Sequence, residues 1–338
     1  MNRVAIIILN WNGYRDTIEC LESVANLTYK HFEVVLVDNG SVDDSIEKIE
    51  AYIALSATKI ILLKNRKNKG FAGGVNTGIR YALDHKFAHV ALLNNDAVVD
   101  KKWLEELVSD MADDTTGIVT GLLASRNGKR IDSTGEFYSI WGLSFPRNRG
   151  DKIDQAPKAG RVFGATGGAS LYRTDVFREI GLFDETFFAY YEDVDISFRS
   201  QLAGWRISYT PKAIAYHNHG TTSKKIPGFQ VYQLFKNLPM VFVKNVPAKL
   251  LFPIGMRFYL AYWLMLGNAI ASETGIAALK GLLANFIFGF GALAKRRHTQ
   301  QTTRVSIGFI KRILYPDLPP DQTGMRKFRH FFLRNKPL

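Results

Sequence analysis

Short apolar runs at residues 4–9, 32–37, 60–63 and 90–93 each give way to Asn or Asp, at Asn10, Asp38, Asn65 and Asn94. Near-continuous apolar stretches of this length are the pattern of strands buried on both faces of a parallel sheet. Between them apolar residues recur at helical spacing, as Ile18, Leu21 and Val24, then Ile46, Ile49 and Ile53, then through 75–83. Asp16, and Asp43 or Asp44, are suited to start the first two of these helices. Strand, polar loop and helix, repeated at this interval, predict an α/β fold with a mostly parallel sheet and helices on both faces. Ligands of open α/β sheets bind beyond the strand ends, so the four polar tips predict one crevice along one sheet edge.

The pattern continues with a helix from about Lys102, an apolar strand at 118–123, and a strand at 164–172 that carries Gly167-Gly168. Residues 125–159, rich in Gly, Arg, Asp and Pro, read as a hairpin and a long loop of the kind that covers or binds a ligand. A short helix follows Thr174-Asp175 and stops at Gly181. Phe187, Phe188, Tyr190 and Tyr191 crowd ahead of Glu192-Asp193-Val194-Asp195, a helix runs on to Gly204, and strands are expected at 205–210 and 213–217. Beyond 228 the character changes. Residues 229–244 form an amphipathic, aromatic helix. Residues 250–271 are apolar but hold Pro253 and Arg257, and 276–294 are apolar but hold Lys280 and Asn285. A spanning helix needs ~20 mostly uncharged residues. Both segments fall near that threshold, and helices lying in or dipping into a membrane surface are expected. The division is therefore an α/β catalytic domain at 1–228 and a helical region at 229–338.

Composition sharpens this picture. The formal net charge of +13 calls for an anionic partner. Basic residues crowd 295–297 and 326–336, beside apolar segments, which favours an anionic membrane surface over nucleic acid. The single cysteine, Cys20, excludes an intrachain disulfide framework and a cysteine-built zinc site. No signal peptide is evident, because the first apolar run ends at Asn10.

Three stretches could carry chemistry. Asn94-Asn95-Asp96, at a strand end, would let Asp96 hold a divalent cation against a phosphate, although these residues also suit a plain turn. Gly70-Phe71-Ala72-Gly73-Gly74 opens a helix and could bring backbone amides to a diphosphate. Glu192 and Asp193 follow aromatic bulk that can raise a carboxyl pKa and poise a base; a helix N-terminus would attract the same acids. Asp195 has a partner at i+4 in Arg199. His217 closes a strand and could join Asp96 in a mixed oxygen and nitrogen site, with His219 its rival.

These motifs, in the order Asn10-Trp11-Asn12-Gly13, Val37-Asp38-Asn39-Gly40-Ser41, the segment 68–76, Leu93-Asn94-Asn95-Asp96, Glu192-Asp193-Val194-Asp195 and the segment 217–223, resemble the inverting family 2 glycosyltransferases of the GT-A fold. Within that family the chain is most similar to the rhamnosyltransferase-like enzymes of polysaccharide assembly. The resemblance covers about the first two thirds of the chain. It implies that Asp38 binds a pyrimidine base and that Asn10, Asn12, Asn39 and Ser41 shape the nucleotide pocket. Gly70, Gly73, Gly74 and Asn76 would meet the diphosphate or ribose. Asn94, Asn95 and Asp96 would stand for the DXD element, with Asp96 and His217 the ligands of Mg²⁺ or Mn²⁺. Asp193 would be the general base, supported by Glu192. The implied donor is deoxythymidine-diphosphate rhamnose or a uridine-diphosphate sugar. The implied acceptor is a polysaccharide or a polyprenyl-linked glycan at the cytoplasmic face of the membrane. One departure stands out, because Asn94 leaves the DXD element with one carboxylate. A sugar-phosphate nucleotidyltransferase and a non-catalytic nucleotide-sugar-binding membrane protein are the alternatives; the first would want a basic, Gly-rich loop where Asn10-Trp11-Asn12-Gly13 stands.

Overall fold

The computed structural model describes residues 3–217 and 226–320. Strand β1 (Val4–Asn10) leads into helix α1 (Tyr14–Ala25), then β2 (Phe32–Asp38), α2 (Ser45–Leu55), β3 (Ile60–Lys64), α3 (Gly70–Asp84) and β4 (His89–Asn94). These follow the expected alternation. β1 pairs in parallel with β2 and β4, and β2 with β3. Alternate residues of β1 serve the two faces of the sheet: Ile6 and Ile8 pack with α1, Ala5 and Ile7 with α3. The register sets Asn10 opposite Asp38 and Leu9 opposite Asn94, and the Asn65 amide bonds the Asp38 carbonyl at 2.8 Å. The four polar tips thus stand side by side on one edge.

The start of α1 differs from the sequence expectation. Gly13, not Asp16, occupies the position before α1. Asp44 precedes α2, as expected, and Asp43 Oδ1 accepts the Ser45 amide at 3.1 Å. The glycine run is also no open loop: α3 begins at Gly70 itself. A Cβ at Gly74 would lie 2.4 Å from Leu9 Cδ1, and one at Gly78 2.8 Å from Ile7 Cγ2. The missing side chains let α3 approach β1 closely.

The sheet continues through β5 (Ala97–Val99), β6 (Thr116–Ser125), β7 (Ile131–Ser133), β10 (Gly160–Arg161), β11 (Ala169–Arg173) and β12 (Arg206–His217). Its order is β10-β12-β6-β11-β4-β1-β2-β3, with β5 on β12 and β7 on β6; β11 runs antiparallel between β4 and β6. The two strands expected at 205–217 are one, with a register shift between Tyr209 and Ile214 where Pro211 has no amide hydrogen to give. Helices α4 (Trp103–Asp110), α5 (Thr174–Ile180) and α6 (Glu192–Ala203) complete this half, and Gly204 closes α6 at φ +92°. The segment 125–159 holds β7 and a separate hairpin of β8 (Glu136–Tyr138) and β9 (Ser144–Pro146).

Four helices follow: α7 (Phe229–Asn245), α8 (Ala248–Ile270), α9 (Gly275–Gln301) and α10 (Ile307–Ile313). They do not build a core of their own. Phe235, Leu238, Phe242 and Phe258 pack with Tyr138, Phe163, Phe187 and Phe198 in one cluster. α7 is buried over most of its circumference, despite Pro239 within it. α8 and α9 each bury one face and expose an apolar one, including Phe252, Trp263, Phe286 and Phe290. Of the basic residues at 295–297, two turn inward. Lys295 reaches Asp184 at 2.5 Å, and Arg296 donates to the carbonyls of Val243 and Val246 at 2.6 and 2.7 Å. Arg297 is exposed and Lys295 keeps 42% of its side chain exposed while pairing with Asp184, so the cluster is drawn partly into the protein. The second cluster, 326–336, lies outside the described residues.

One buried group sets an acid limit on the fold. His89, at the start of β4, is 1% exposed and neither ring nitrogen has a hydrogen-bond partner. Burial, and then Arg173 nearby, push it down to about 4 from 6.5. The unfolded chain takes up this proton first, so the fold loses stability as pH falls from 6.5 and the loss is complete below 4. At 1.36 kcal/mol per pH unit the contribution is about 3 kcal/mol. Urea unfolding of His89→Phe at pH 7 and 4.5 is expected to lose less stability than the wild type across that interval.

Candidate active site

The tips of β1, β2 and β4 are joined by a chain of polar side chains. Asn95 Nδ2 donates to Thr17 Oγ1 at 3.0 Å, and Thr17 donates to Asn10 Oδ1 at 2.8 Å. Asn10 Nδ2 donates to Asp38 Oδ1 at 2.8 Å. Asp38 also accepts Ser41 Oγ at 2.6 Å and the amides of Gly40 and Ser41. Asn39 is equally engaged: it accepts from Asn65 Nδ2 and the Lys69 amide and donates to Asn68 Oδ1 and the Gly70 carbonyl. Asn10, Asp38 and Asn39 are buried at 0–1% exposure. They build the wall of the crevice. Asn12, in a left-handed conformation at φ +49°, clamps that wall by accepting the Val42 amide, while its own amide donates to Ser41 Oγ. Asn12, Ser41 and Asn94 keep part of their surface exposed.

The glycine segment, expected to meet a diphosphate, is held by close packing. Gly70, at φ +70°, has Phe188 O where its Cβ would be (2.3 Å), and its amide is taken by Asn68 Oδ1. A Cβ at Gly73 would meet Lys69 Cβ at 2.7 Å. Asn76 is 1% exposed and locks the chain ahead of Glu192: it donates to the Phe183 carbonyl and Glu185 Oε1 and accepts the Phe183 amide. Gly70, Gly73, Gly74 and Asn76 thus fix packing, which needs small residues and a buried amide as firmly as ligand binding would.

Asp96 and His217 meet. β5 pairs with the end of β12, bringing Ala97 opposite His217. His217 Nε2 lies 3.0 Å from Asp96 Oδ1 and 3.4 Å from Asn94 Nδ2, and Nδ1 lies 2.9 Å from Asp132 Oδ2. Burial alone would lower the imidazole pKa; hydrogen bonds to Asp132 and Asp96 outweigh it and push it up to about 9. The rival, His219, lies outside the described residues. Among the described residues no set of three His, Cys, Asp or Glu side chains is arranged to hold a metal ion. The pair nevertheless fits one. Asp96 Oδ1 and His217 Nε2, 3.0 Å apart, offer one oxygen and one nitrogen donor side by side, a donor set suited to Mg²⁺ or Mn²⁺. Asp132 fixes the far nitrogen, as carboxylates behind metal-bound histidines do. Phosphate oxygens and water would supply the remaining ligands.

Glu192 and Asp193 open α6 in an acidic corner. Asp193 accepts the Gly167 amide at 3.1 Å and the Val194 amide at 2.9 Å, and part of it is exposed; Glu192 is buried, with Oε2 unpartnered. Burial raises both carboxyls, and the charge of Asp193 pushes Glu192 well above the usual range. Glu136, on β8, is raised by burial and then by Asp193. Gly167-Gly168 connects this corner to the other pair, since the Asn94 amide bonds the Gly168 carbonyl at 2.9 Å. Glu136 feels the charges of both Asp193 and Asp132, the carboxylate behind His217, and Arg149 balances Asp132 at 3.2 Å.

Residues 5–181 match the family described as Glycosyl transferase family 2. The chain belongs to that family. The glycosyltransferase is 26% identical over 243 residues to the low-salt glycan biosynthesis hexosyltransferase Agl10 of Haloferax volcanii, spanning 70% of this chain and 74% of that one. It is 28% identical over 206 residues to the poly-β-1,6-N-acetyl-D-glucosamine synthase of Staphylococcus aureus; the match spans 60% of the glycosyltransferase and 46% of that protein's length. In structure it resembles a mannosyltransferase of Pyrobaculum calidifontis solved with GDP-mannose and Mn²⁺, with a TM-score of 0.56 at 16% identity, covering 89% of this chain and 86% of that one. The fold is GT-A, with a helical C-terminal region. Neither alternative drawn from the sequence, nucleotidyltransferase or non-catalytic binder, gains support from these matches.

Sequence reasoning missed Thr17, Asp132, Glu136 and Arg149. The last three lie in 125–159, where the turn-rich composition hid a strand-borne Asp132 and Glu136 followed by Arg147 and Arg149. Carboxylates spaced among small residues, with arginines soon after, were the available signal.

Proposed function

We propose that this glycosyltransferase moves a sugar, with inversion, from a nucleoside-diphosphate donor to a glycan hydroxyl, and that Asp193 is the base. The observation that carries the proposal is the link through Gly167-Gly168, whose Gly167 amide meets Asp193 and whose Gly168 carbonyl meets Asn94, two residues before Asp96, the partner of His217. The crevice beyond Asn10 and Asp38 takes the nucleotide, with Asn12, Ser41 and Asn94 at its surface. Asp96 and His217 would hold Mg²⁺ or Mn²⁺, which offsets the charge gathering on a departing diphosphate. Asp193, partly open, takes the acceptor proton; the acceptor oxygen bonds the anomeric carbon, and the bond from that carbon to phosphate breaks with its electron pair on the nucleoside diphosphate. Glu192 is buried behind it, its carboxyl pushed well above the usual range by burial and then by Asp193. The resemblance to rhamnosyltransferase-like enzymes supports deoxythymidine-diphosphate rhamnose as the first donor to try, ahead of uridine-diphosphate sugars.

The protein works at the cytoplasmic membrane face on this reading. α8 and α9 are long and apolar enough to cross a bilayer, but each packs one face against the protein along its length. That supports helices lying in the interface, with Phe252, Trp263, Phe286 and Phe290 toward lipid.

A donor panel by calorimetry, with and without Mn²⁺, tests the proposal; no binding by any nucleoside-diphosphate sugar overturns it. Asp132→Asn, which frees the imidazole behind the cation, is expected to weaken Mn²⁺ binding by about 10–100-fold. Titration with Mn²⁺ in the presence of nucleoside diphosphate measures it.

A further inference from the structure

Inside the aromatic packing of α7 runs a short polar row. Gln233, Lys236 and Asn237 are 2%, 3% and 0% exposed. Lys236 and Asn237 direct their donors at one stretch of main chain, the stretch that leads into Glu192 and Asp193. Lys236 Nζ donates to the carbonyls of Thr186 and Phe187, both at 3.1 Å. Asn237 Nδ2 lies 3.0, 2.9 and 2.8 Å from the carbonyls of Phe187, Ala189 and Tyr190. From the other side, the Ala72 amide of α3 donates to the Phe188 carbonyl at 3.1 Å, and the Asp195 amide donates to that of Tyr191 at 2.9 Å. Every carbonyl from 186 to 191 thus meets a donor. The backbone here is in an uncommon shape. Phe188, at φ +65° and ψ −65°, is the centre of a γ-turn closed by the Ala189 amide on the Phe187 carbonyl. Tyr190 and Tyr191 follow with left-handed backbones, at φ +65° and +71°. Bulky residues hold such conformations where the surroundings impose them. In Asn237 both amide hydrogens face the carbonyls, while its Oδ1 is buried without a hydrogen-bond partner among the described residues, a penalty that an apolar side chain would not carry.

We infer that Asn237, assisted by Lys236, is a positioning residue for sugar transfer: from α7 it fixes the backbone at 187–190 and so the place from which Asp193 reaches the acceptor. The inference rests on the assignment of Asp193 as base and adds two residues from outside the α/β domain. Neither side chain touches a substrate. Asp193 stands three residues beyond the last clamped carbonyl, and the Gly167 amide at 3.1 Å marks where its carboxylate must sit. Releasing the carbonyls lets Tyr190 and Tyr191 return to ordinary φ, which moves the start of α6 off that mark. The crevice wall at Asn10, Asp38 and Asn39 stands on β1 and β2 and keeps its own hydrogen bonds. Loss of the clamp therefore falls on turnover and spares donor binding.

A split between kcat and donor affinity in the full-length protein tests this. With water as acceptor, release of deoxythymidine diphosphate from deoxythymidine-diphosphate rhamnose reports kcat; where calorimetry selects another donor, that donor's diphosphate is followed instead. Asn237→Leu should lower kcat by about 10–100-fold, the scale of a small misplacement of a reacting group, while the calorimetric Kd of the donor holds. Asn245→Leu is the control. Asn245 is also on α7 and 0% exposed, donates to Asp195 at 2.9 Å and has an unpartnered Oδ1. Its variant should melt earlier, as Asn237→Leu does, yet keep its kcat. Asp193→Asn combined with Asn237→Leu should turn over no more slowly than Asp193→Asn alone, because a residue that acts through the base has nothing left to position. Lys236→Met carries the same test should Asn237→Leu fail to fold. A kcat loss no larger than the control's, or a full further loss in the double variant, overturns the inference while Asp193→Asn still upholds the base. Asp193→Asn at the wild-type rate removes the base assignment, and the inference with it.

Discussion

Asp193→Asn lowers the turnover number for sugar transfer by about 10²–10⁴-fold, the usual loss on removing a positioned base. The amide is nearly isosteric and still accepts the Gly167 amide, which holds the wild-type carboxylate at 3.1 Å, so donor binding should change little. The pH profile gives a further check. Burial raises the Asp193 pKa above the ordinary carboxylate value. The wild-type rate should therefore climb with pH through an acidic limb shifted upward from the usual carboxylate range. In Asp193→Asn that limb disappears from whatever activity remains. Initial-rate measurements across pH with a saturating donor test both points; a variant that retains the wild-type rate and limb assigns the base elsewhere.

Asp195→Asn is expected to destabilise the protein by about 3–5 kcal/mol, as breaking a buried ion pair from one side does. Asp195 is 0% exposed and meets Arg199 at 2.9 Å, Lys244 at 3.0 Å and Asn245 at 2.9 Å. Lys244 also reaches Asp184 at 2.8 Å, which in turn holds Lys295. Burial would raise the Asp195 pKa, but Lys244 and then Arg199 hold it below the usual value. The stabilisation is thus present above the unfolded carboxylate pKa and fades as pH falls through the lower folded value. Urea unfolding at pH 7 should show the full difference between variant and wild type, and strongly acidic solution should narrow it.

The parallel half of the fold was legible in the chain because β1, β2 and β4 are largely buried on both faces and leave uninterrupted apolar runs, a pattern that the half-buried edge strand β3 shares. Their tips were legible too, since Asn10, Asp38, Asn65 and Asn94 are polar where the runs stop. What individual tip residues do was not. Asn39 and Asn76 carry amides suited to a ligand, yet backbone groups and neighbouring amides consume them. Sequence pattern reports polarity at a position but not the direction a side chain takes. The Gly70–Gly74 segment shows the same limit, since small residues serve a close helix–strand contact as well as a phosphate. Asp132 and Glu136 escaped because β7 and β8 are three residues each, too short for any period to register. Lys295 and Arg296 show the limit from the other side: a basic triplet after an apolar helix suggests lipid headgroups, and only the structure shows that Lys295 also pairs with Asp184 and Arg296 with the carbonyls of Val243 and Val246.

Lys244 and Lys295 stand far along the chain from the carboxylates they neutralise, on helices a protein chemist would be tempted to trim for easier handling. Shortening the gene before them would strand two sealed anions beneath α6 and remove half of an aromatic nucleus. The enzyme cannot be divided into a soluble engine and a detachable anchor.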